Sequence, residues 1–430
     1  MEEVVEDVVI VGAGIAGLAT AVALKRVGVK ALVLEKSNGL RATGAALILS
    51  RNAWLALDAL GVSQKLNSMY PFIKEFRAYI TNLESGAIQE ISAAKRASGN
   101  GETRARAVHR KALLETLAGE LPTNSIRFSS KLTKIETESH LSSSIAVIHL
   151  EDENVIKAKI LIGCDGVHSM VARSLGIIAA IDSGRSSVRG LAVFPQGHCL
   201  KDEMHQFVGT RRRAGLVPVN DKEIYWYFTC SSPSKGTGLL SGDPKVIQRE
   251  VIEKYAKDFP EIYLDAVKHT DLSTLTWAPL MFRYPWNVAF GKLSKQNITV
   301  AGDAMHPMTP DLGQGGCAAL EDAVVLGRHI GTSIQQNGGL VQPQMAKALA
   351  DYVEERRWRA TWLIIGSYLT GWVQEGGSLW GLKFLRDIIF YGLLFRKIGT
   401  LMQYDCGNLP IFPISTESDK MKICCGVVAL

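Results

Sequence analysis

The sequence predicts an α/β chain, α+β overall: a Rossmann-like nucleotide-binding domain, an inserted antiparallel-sheet domain and a C-terminal helical segment. Three observations carry that expectation. Residues 7–35, DVVIVGAGIAGLATAVALKRVGVKALVLE, read as strand, glycine turn, helix and second strand. Two later apolar runs, 155–162 and 297–300, each deliver an aspartate just beyond the strand's end, Asp165 and Asp303. Between 186 and 230 the texture changes to short strand-like runs, the mark of a separate antiparallel sheet.

The turn fits its glycines. Gly12 allows the tight turn, Gly14 lets backbone approach a pyrophosphate, and Gly17 lets the helix lie close on the strand. The helix then directs its free N–H groups and positive end at phosphate. Glu35 closes the second strand at the distance where an acid accepts hydrogen bonds from ribose hydroxyls and repels a 2′-phosphate. This stretch by itself leaves FAD and NAD both open.

Composition narrows the class. At 430 residues, 47% apolar and 21% charged, the chain is long enough for two domains. The net charge of +6 is spread along the sequence and argues neither for nor against nucleic acid, and the expected partners include none. The dense cluster Arg211, Arg212, Arg213 reads as a solvated loop between Gly209 and Gly215, with anion binding as the alternative. Seven scattered cysteines without C-x-x-C argue against disulfides and zinc, so no metal is expected. The acidic start, MEEVVEDVV, has no targeting pattern, which favours a cytoplasmic location.

Along the chain, a helix is expected near 52–60, stopped by Gly61, and another over 108–121, led by Arg110. Residues 93–103 read as a flexible surface excursion, while 129–136 and 145–150 read as a strand pair. In 223–230, EIYWYFTC, Tyr225 and Tyr227 should face one way and Trp226 and Phe228 the other; a face packed on core is favoured over a substrate-pocket wall. Helical segments open at Pro244 and Pro260. After Asp303 the chain runs AMHPMTPDLGQGG, two prolines and three glycines that feed a helix beginning near Cys317. Beyond 347 the chain is helical, with Trp358, Trp362, Trp372 and Trp380 close together. Core packing that buries these tryptophans is the favoured reading; an interfacial membrane surface over 358–402 is the alternative.

No catalytic residue stands out, and His168 and His306 read as structural hydrogen-bonding residues. A dinucleotide cleft without an evident acid, base or metal implies that a cofactor carries the reaction.

GAGIAG with Glu35, DGVHS at 165–169 and AGDAMHPMTPDLGQGGCAALEDA at 301–323 together resemble the FAD-dependent aromatic-hydroxylase family, the single-component flavoprotein monooxygenases. Within it the chain is most similar to plant monooxygenases related to salicylate hydroxylase and zeaxanthin epoxidase. The resemblance implies non-covalent FAD, NADPH or NADH as co-substrate, O2, and a small aromatic, terpenoid or alkaloid substrate oxygenated through a flavin C4a-hydroperoxide. It assigns cofactor binding to Gly12, Ala13, Gly14, Ile15, Ala16, Gly17, Glu35, Lys36, Arg41, Arg110, Leu132, Asp165, Asp303, Pro310, Gly313, Gly315 and Gly316. Asp303 would meet the ribitol, and the amides of Gly315 and Gly316 the reduced flavin's negative charge. The middle motif departs from the family pattern, with Ala172 where an arginine usually stands and Arg173 beside it.

The implied division gives 1–75, 103–180 and 293–345 to the FAD-binding domain and 76–102 with 181–292 to a substrate domain. Residues 346–412 form the C-terminal helical region and 413–430 a tail. A flavin-dependent halogenase is the rival enzyme, although its W-x-W-x-I-P element is missing from the sequence. An FAD-binding membrane-associated module without hydroxylase activity is the other rival.

Overall fold

The computed structural model describes residues 5–40, 45–70, 77–92, 105–140, 143–200, 203–232, 242–375 and 400–411. It opens with β1 (Val5–Val11), the glycine turn, α1 (Ile15–Arg26) and β2 (Ala31–Leu34), then β3 (Ala46–Leu49), α2 (Arg51–Leu60) and α3 (Ser63–Met69). Next come β4 (Arg77–Asn82), β5 (Ile88–Ser92), β6 (Arg106–His109), α4 (Arg110–Ala118), β7 (Ile126–Arg127), β8 (Leu132–His140), β9 (Ser143–Leu150), β10 (Val155–Gly163) and α5 (Met170–Ser174). The middle of the chain supplies β11 (Ile181–Val193), β12 (Glu203–Gly209), β13 (Arg212–Asn220), β14 (Glu223–Ser231), α6 (Pro244–Glu250), α7 (Glu261–Lys268), β15 (Thr276–Phe282) and α8 (Pro285–Ala289). It closes with β16 (Ser294–Lys295), β17 (Ile298–Val300), α9 (Gly315–Asn337) and α10 (Gln342–Glu375).

In the first sheet the order is β16-β17-β10-β1-β2-β7, with β9 beside β10 and β8 beside β9. β1 runs parallel to both β10 and β2, and Val8, Val9 and Ile10 are wholly buried. A strand covered on both faces needs an unbroken apolar run, which is what this one has. α1 is apolar all round for the same reason, lying between this sheet and α9.

The second sheet has the order β15-β11-β14-β13-β12-β4-β5. It is antiparallel except at one junction, where β4 and β12 pair in parallel, a departure from the purely antiparallel expectation. The long stretch of chain between those two strands supplies the crossover that parallel pairing requires. Alternation along β14 is as read. Trp226 and Phe228 pack with Phe207, Phe259 and Tyr263, whereas Tyr225 packs with Leu191, Val217, Ala45, Ala46 and Ala107. Gly190 makes room for the first cluster, since a Cβ there would lie 2.8 Å from Thr270 Cγ2 and 2.9 Å from Trp226 Nε1.

Three local expectations need correction. α9 begins at Gly315, two residues before the expected start near Cys317. α4 ends at Ala118, short of residue 121. The tryptophans of α10 are not buried: Trp358 is 46%, Trp362 54% and Trp372 47% exposed. The helix packs on the core through Leu349, Tyr352, Val353 and Ala360, and at 3.6 residues per turn the three tryptophans share the opposite stripe. The expected excursion at 93–103 lies outside the described residues, as do Arg41, Trp380 and the tail.

Candidate cofactor and substrate site

The glycine turn is shaped by close approach. Gly12 has φ +104°, and a Cβ on it would lie 2.4 Å from the Cys164 carbonyl oxygen; one on Gly17 would lie 1.9 Å from the Gly12 oxygen. Gly14 has nothing within 4 Å of its missing Cβ, so that side of the turn stays open. Glu35 ties the turn to β2: its carboxylate accepts the Ala13 amide at 2.8 Å and the Ser37 amide at 2.9 Å. α1 carries no acid in its first turn and no side-chain cap, which leaves the first amides of Ile15, Ala16 and Gly17 to a ligand. An open glycine face, a free helix start and a second-strand acid fit the diphosphate and ribose of a dinucleotide.

Around that turn, Lys36 is exposed, and Leu132 is buried in the main core. Backbone bonds from Ser129 to Ser37 and from Ser130 to Glu35 bring the start of β8 beside the acid. Arg110 opens α4, its amide donating to Ala45 at 3.3 Å.

The second half of the site forms where β17 ends. Gly302, at φ +60°, sits so close to α1 that a Cβ would be 2.7 Å from that of Ala16. Asp303 follows, exposed, and accepts no hydrogen bond among the described residues. A Cβ on Gly315 would be 3.9 Å from Asp303 Oδ1, and one on Gly316 would meet Ile15 and Leu47 at 3.5 and 3.6 Å. The starts of α1 and α9 and the Asp303 carboxylate therefore converge. Pro310 opens a single 3-10 turn closed by Gly313 in the left-handed region at φ +64°.

Buried charges hold this turn. The Arg283 guanidinium donates to the carbonyls of Ala304 and Met305 at 2.8 and 2.7 Å; burial pulls its pKa down to about 10 while Asp303 opposes the shift. Asp322 accepts the Gly302 amide, and Arg356 from α10 donates to Asp322 at 2.7 Å.

Asp165 behaves differently. Its carboxylate accepts from the Ser169 hydroxyl and, at 2.6 Å, from the Met170 amide, so the side chain turns onto the start of α5. Burial raises its pKa against those hydrogen bonds. Ala172 is buried and Arg173 exposed. His306 is a buried hydrogen-bonding residue, as read, whereas His168 is exposed and without a hydrogen bond among the described residues.

The arginine cluster is not a solvated loop. Arg211 sits in the tight turn at φ +58°, while Arg212 and Arg213 belong to β13, whose pleat sends them to opposite faces. Arg212 pairs with Asp258. Arg213 is buried and reaches Asp311 at 3.2 Å, and Arg185 of β11 grips the same carboxylate in a two-pronged pair at 2.8 and 2.9 Å. Burial alone would raise the Asp311 pKa; the Arg185 pair outweighs it and holds the group below its ordinary value. Sequence reasoning missed Arg185, Asp311, Asp322 and Arg356. The alternation of Arg213, Gly215 and Val217 in β13 was the available signal for an inward arginine.

These features define a dinucleotide-binding protein whose second sheet is tied to the loop before α9 by the Arg185–Asp311 pair. A family model described as FAD binding domain matches residues 6–365. Monooxygenase 2 of Arabidopsis thaliana is 38% identical over 95% of this chain and 99% of its own length; Monooxygenase 1 of the same plant is 36% identical over 95% and 100%. Klebsiella pneumoniae HpxO, solved with FAD and uric acid, superimposes with a TM-score of 0.76 at 24% identity over 94% of this chain and 98% of that one, a likeness of fold. The chain belongs to the FAD-dependent monooxygenases of the aromatic-hydroxylase family, and FAD is its cofactor. Among the described residues no helix is long and apolar enough to cross a membrane.

Proposed function

We propose that this protein is an NAD(P)H-consuming monooxygenase that inserts one oxygen atom from O2 into a small aromatic or alkene-containing molecule. Bound FAD supplies the redox chemistry, accepting a hydride from NAD(P)H and activating dioxygen. The chain's own residues bind, orient and exclude water. In this reading the amides of the Gly12–Gly17 turn hold the diphosphate, Glu35 with Lys36 and the start of β8 at Leu132 the adenosine, and Asp303 the ribitol, all non-covalently. Arg110 and Arg41 serve the phosphate region, and Asp165 acts only through the fold of its turn. Pro310 and Gly313 shape the loop, while the amides of Gly315 and Gly316 at the start of α9 favour negative charge on the reduced ring.

The observation that carries the proposal is Asp303: an exposed carboxylate, free of hydrogen bonds among the described residues, beside two helix starts. Leu191, Val217 and Tyr225 of the second sheet pack in one apolar cluster with Ala45, Ala46 and Ala107, apolar surroundings of the kind an oxygen transfer shielded from water needs. Anaerobic NADH and NADPH titrations, followed by turnover with labelled dioxygen across phenols, indoles, alkaloids and terpenoids, test it. Halogenated product, or reduction without labelled product from any compound, would reject the hydroxylase or epoxidase reading.

A cytoplasmic location with peripheral membrane contact over 358–402 is part of this proposal. Residues 376–399 lie outside the described part, so the contact is argued from Trp358, Trp362 and Trp372, whose half-exposed rings share one helix stripe.

A further inference from the structure

We propose that the cavity between the start of β11, the corner joining β15 to α8, and α10 is a second ligand site, separate from the cofactor turn, and that it binds an apolar molecule carrying a protonated amine.

The cavity is built where two strand ends meet a helix. β11 begins by pairing with the end of β15, Ile181 opposite Phe282 and Asp182 opposite Met281, and its register then slips before Ser186. Such a slip breaks the strand's alternation. Asp182 and Ser183, which a regular strand would send to opposite faces, both line the cavity. α10 closes the other side with Ile364, Ile365, Tyr368 and Leu369, a single stripe at i, i+1, i+4 and i+5. The volume of about 330 Å³ falls at the lower end of small-molecule sites. None of the residues assigned to the flavin lines it.

Apolar side chains offer surface to the body of a ligand, and the polar groups choose its charge. Asp182 is exposed; it accepts the Gly184 amide at 2.8 Å and meets no cation among the described residues. The neighbouring guanidiniums are committed elsewhere, Arg185 to Asp311 and Arg283 to the carbonyls of Ile178, Ala304 and Met305. Ser183 Oγ is buried and has no hydrogen-bond partner among the described residues. Rings complete the lining: Phe282 lies 5.0 Å from Tyr368, and Tyr284 stacks on Trp286 at 4.4 Å with the planes 13° apart. Tyr284, Trp286 and Tyr368 are all exposed, and a cation is attracted to the faces of such rings. An anion would meet Asp182 with like charge, and a wholly apolar ligand would leave Ser183 Oγ unbonded. An ammonium group satisfies the carboxylate, the hydroxyl oxygen and the rings together.

Tryptamine and tryptophol, the same indole bearing an ammonium or a hydroxyl, test this by calorimetric titration into the FAD-loaded protein. Tryptamine should bind about tenfold tighter. Asp182→Asn, which keeps an acceptor for the Gly184 amide, should bring tryptamine down to the affinity of tryptophol. Ile365→Trp, which fills the cavity, should abolish binding of both, with flavin content and melting temperature unchanged in either variant. If Ile365→Trp loses flavin, Trp286→Ala at an exposed ring replaces it and should weaken both ligands. Equal binding of the two compounds, binding of neither at millimolar concentration, a preference that survives Asp182→Asn, or undiminished binding in the position 365 or 286 variant would overturn the proposal. Phosphatidylcholine vesicles separate the sources of the amine: tryptamine displaced by them assigns the ammonium to a lipid headgroup, and tryptamine retained in their presence assigns it to a free molecule.

Discussion

The Asp322 carboxylate lies 2.6 Å from His306 Nε2 with neither side chain exposed, and the same oxygen accepts the Gly302 amide at 2.8 Å. Arg356 bonds the other Asp322 oxygen and also meets Glu321 at 2.7 Å, and Glu321 is bound in turn by Arg359. α9 and α10 are thereby locked to the turn that presents Asp303. Removing Asp322 leaves a buried guanidinium and a backbone amide short of their acceptor. Asp322→Ala is expected to lower stability by about 3–5 kcal/mol, the usual cost of breaking a buried pair from one side. Urea unfolding of the FAD-loaded protein measures it, with flavin release running ahead of the global transition.

The same pair sets a pH dependence. Burial pulls the His306 pKa down, but the charge and hydrogen bond of Asp322 outweigh it and raise it above 6.5. A raised histidine contributes stability that is fully present below the unfolded value of 6.5 and lost as pH rises through the folded one. Asp322 is shifted the opposite way, held below 3.8 by His306 and Arg356 against burial, so its contribution fades only as pH falls below that value. Urea midpoints between about pH 5 and 9 should therefore decline on the alkaline side in the wild type. In His306→Gln that decline should be absent; an identical slope in both proteins would refute the linkage.

Asp303→Ala should weaken FAD binding by roughly ten- to a hundredfold, the ~1.5–3 kcal/mol that a charged acceptor contributes to its hydrogen bonds. The side chain is exposed and bonds nothing else described, so the variant should fold normally. Protein that purifies folded with a full complement of flavin would contradict the ribitol assignment.

Glu35→Ala tests a different division of labour. The carboxylate binds the Ala13 and Ser37 amides, so its loss should loosen the turn and weaken FAD binding. Turnover at saturating FAD should stay nearly intact, because the adenosine end lies away from the reacting ring. A large fall in kcat that added FAD cannot restore would place Glu35 nearer the chemistry.

The parts of the site legible in the sequence are those whose geometry is local. Gly12, Gly14 and Gly17 announce a turn within six residues, and Asp303 is delivered by the strand just before it. Arg185 and Asp311 are 126 residues apart, and their meeting depends on how the second sheet seats on the loop before α9, which no periodicity encodes. Arg356 cannot be told in the sequence from any other charge on a helix, because a buried ion network and a solvated face use the same residues. The Trp358 stripe misled for a related reason: apolar content fixes that a helix has an apolar face, and the neighbouring elements decide which face is covered.

That uncovered stripe supports the last prediction. Trp358, Trp362 and Trp372 are about half exposed, Trp286 and Phe290 from α8 and its end are 55% and 76% exposed, and Phe290 meets Trp358 edge-on at 5.9 Å. Tyr284 and Trp286 stack at 4.4 Å beside a cavity of about 330 Å³ that α10 lines with Ile364, Ile365, Tyr368 and Leu369. Aromatic rings gathered this way suit a headgroup boundary, where an apolar body and a polar edge are both satisfied. Changing Trp358, Trp362 and Trp372 together to Ser should leave FAD bound and the melting temperature little changed, because the rings cover no core. In vesicle flotation the wild type should rise with the lipid and the triple variant should remain at the bottom. Anionic lipid should strengthen the association, by about 1 kcal/mol for each lysine or arginine that reaches the surface, and added salt should weaken it. Wild-type protein that stays with the soluble fraction on neutral and anionic vesicles alike would rule the contact out and leave the stripe to another partner.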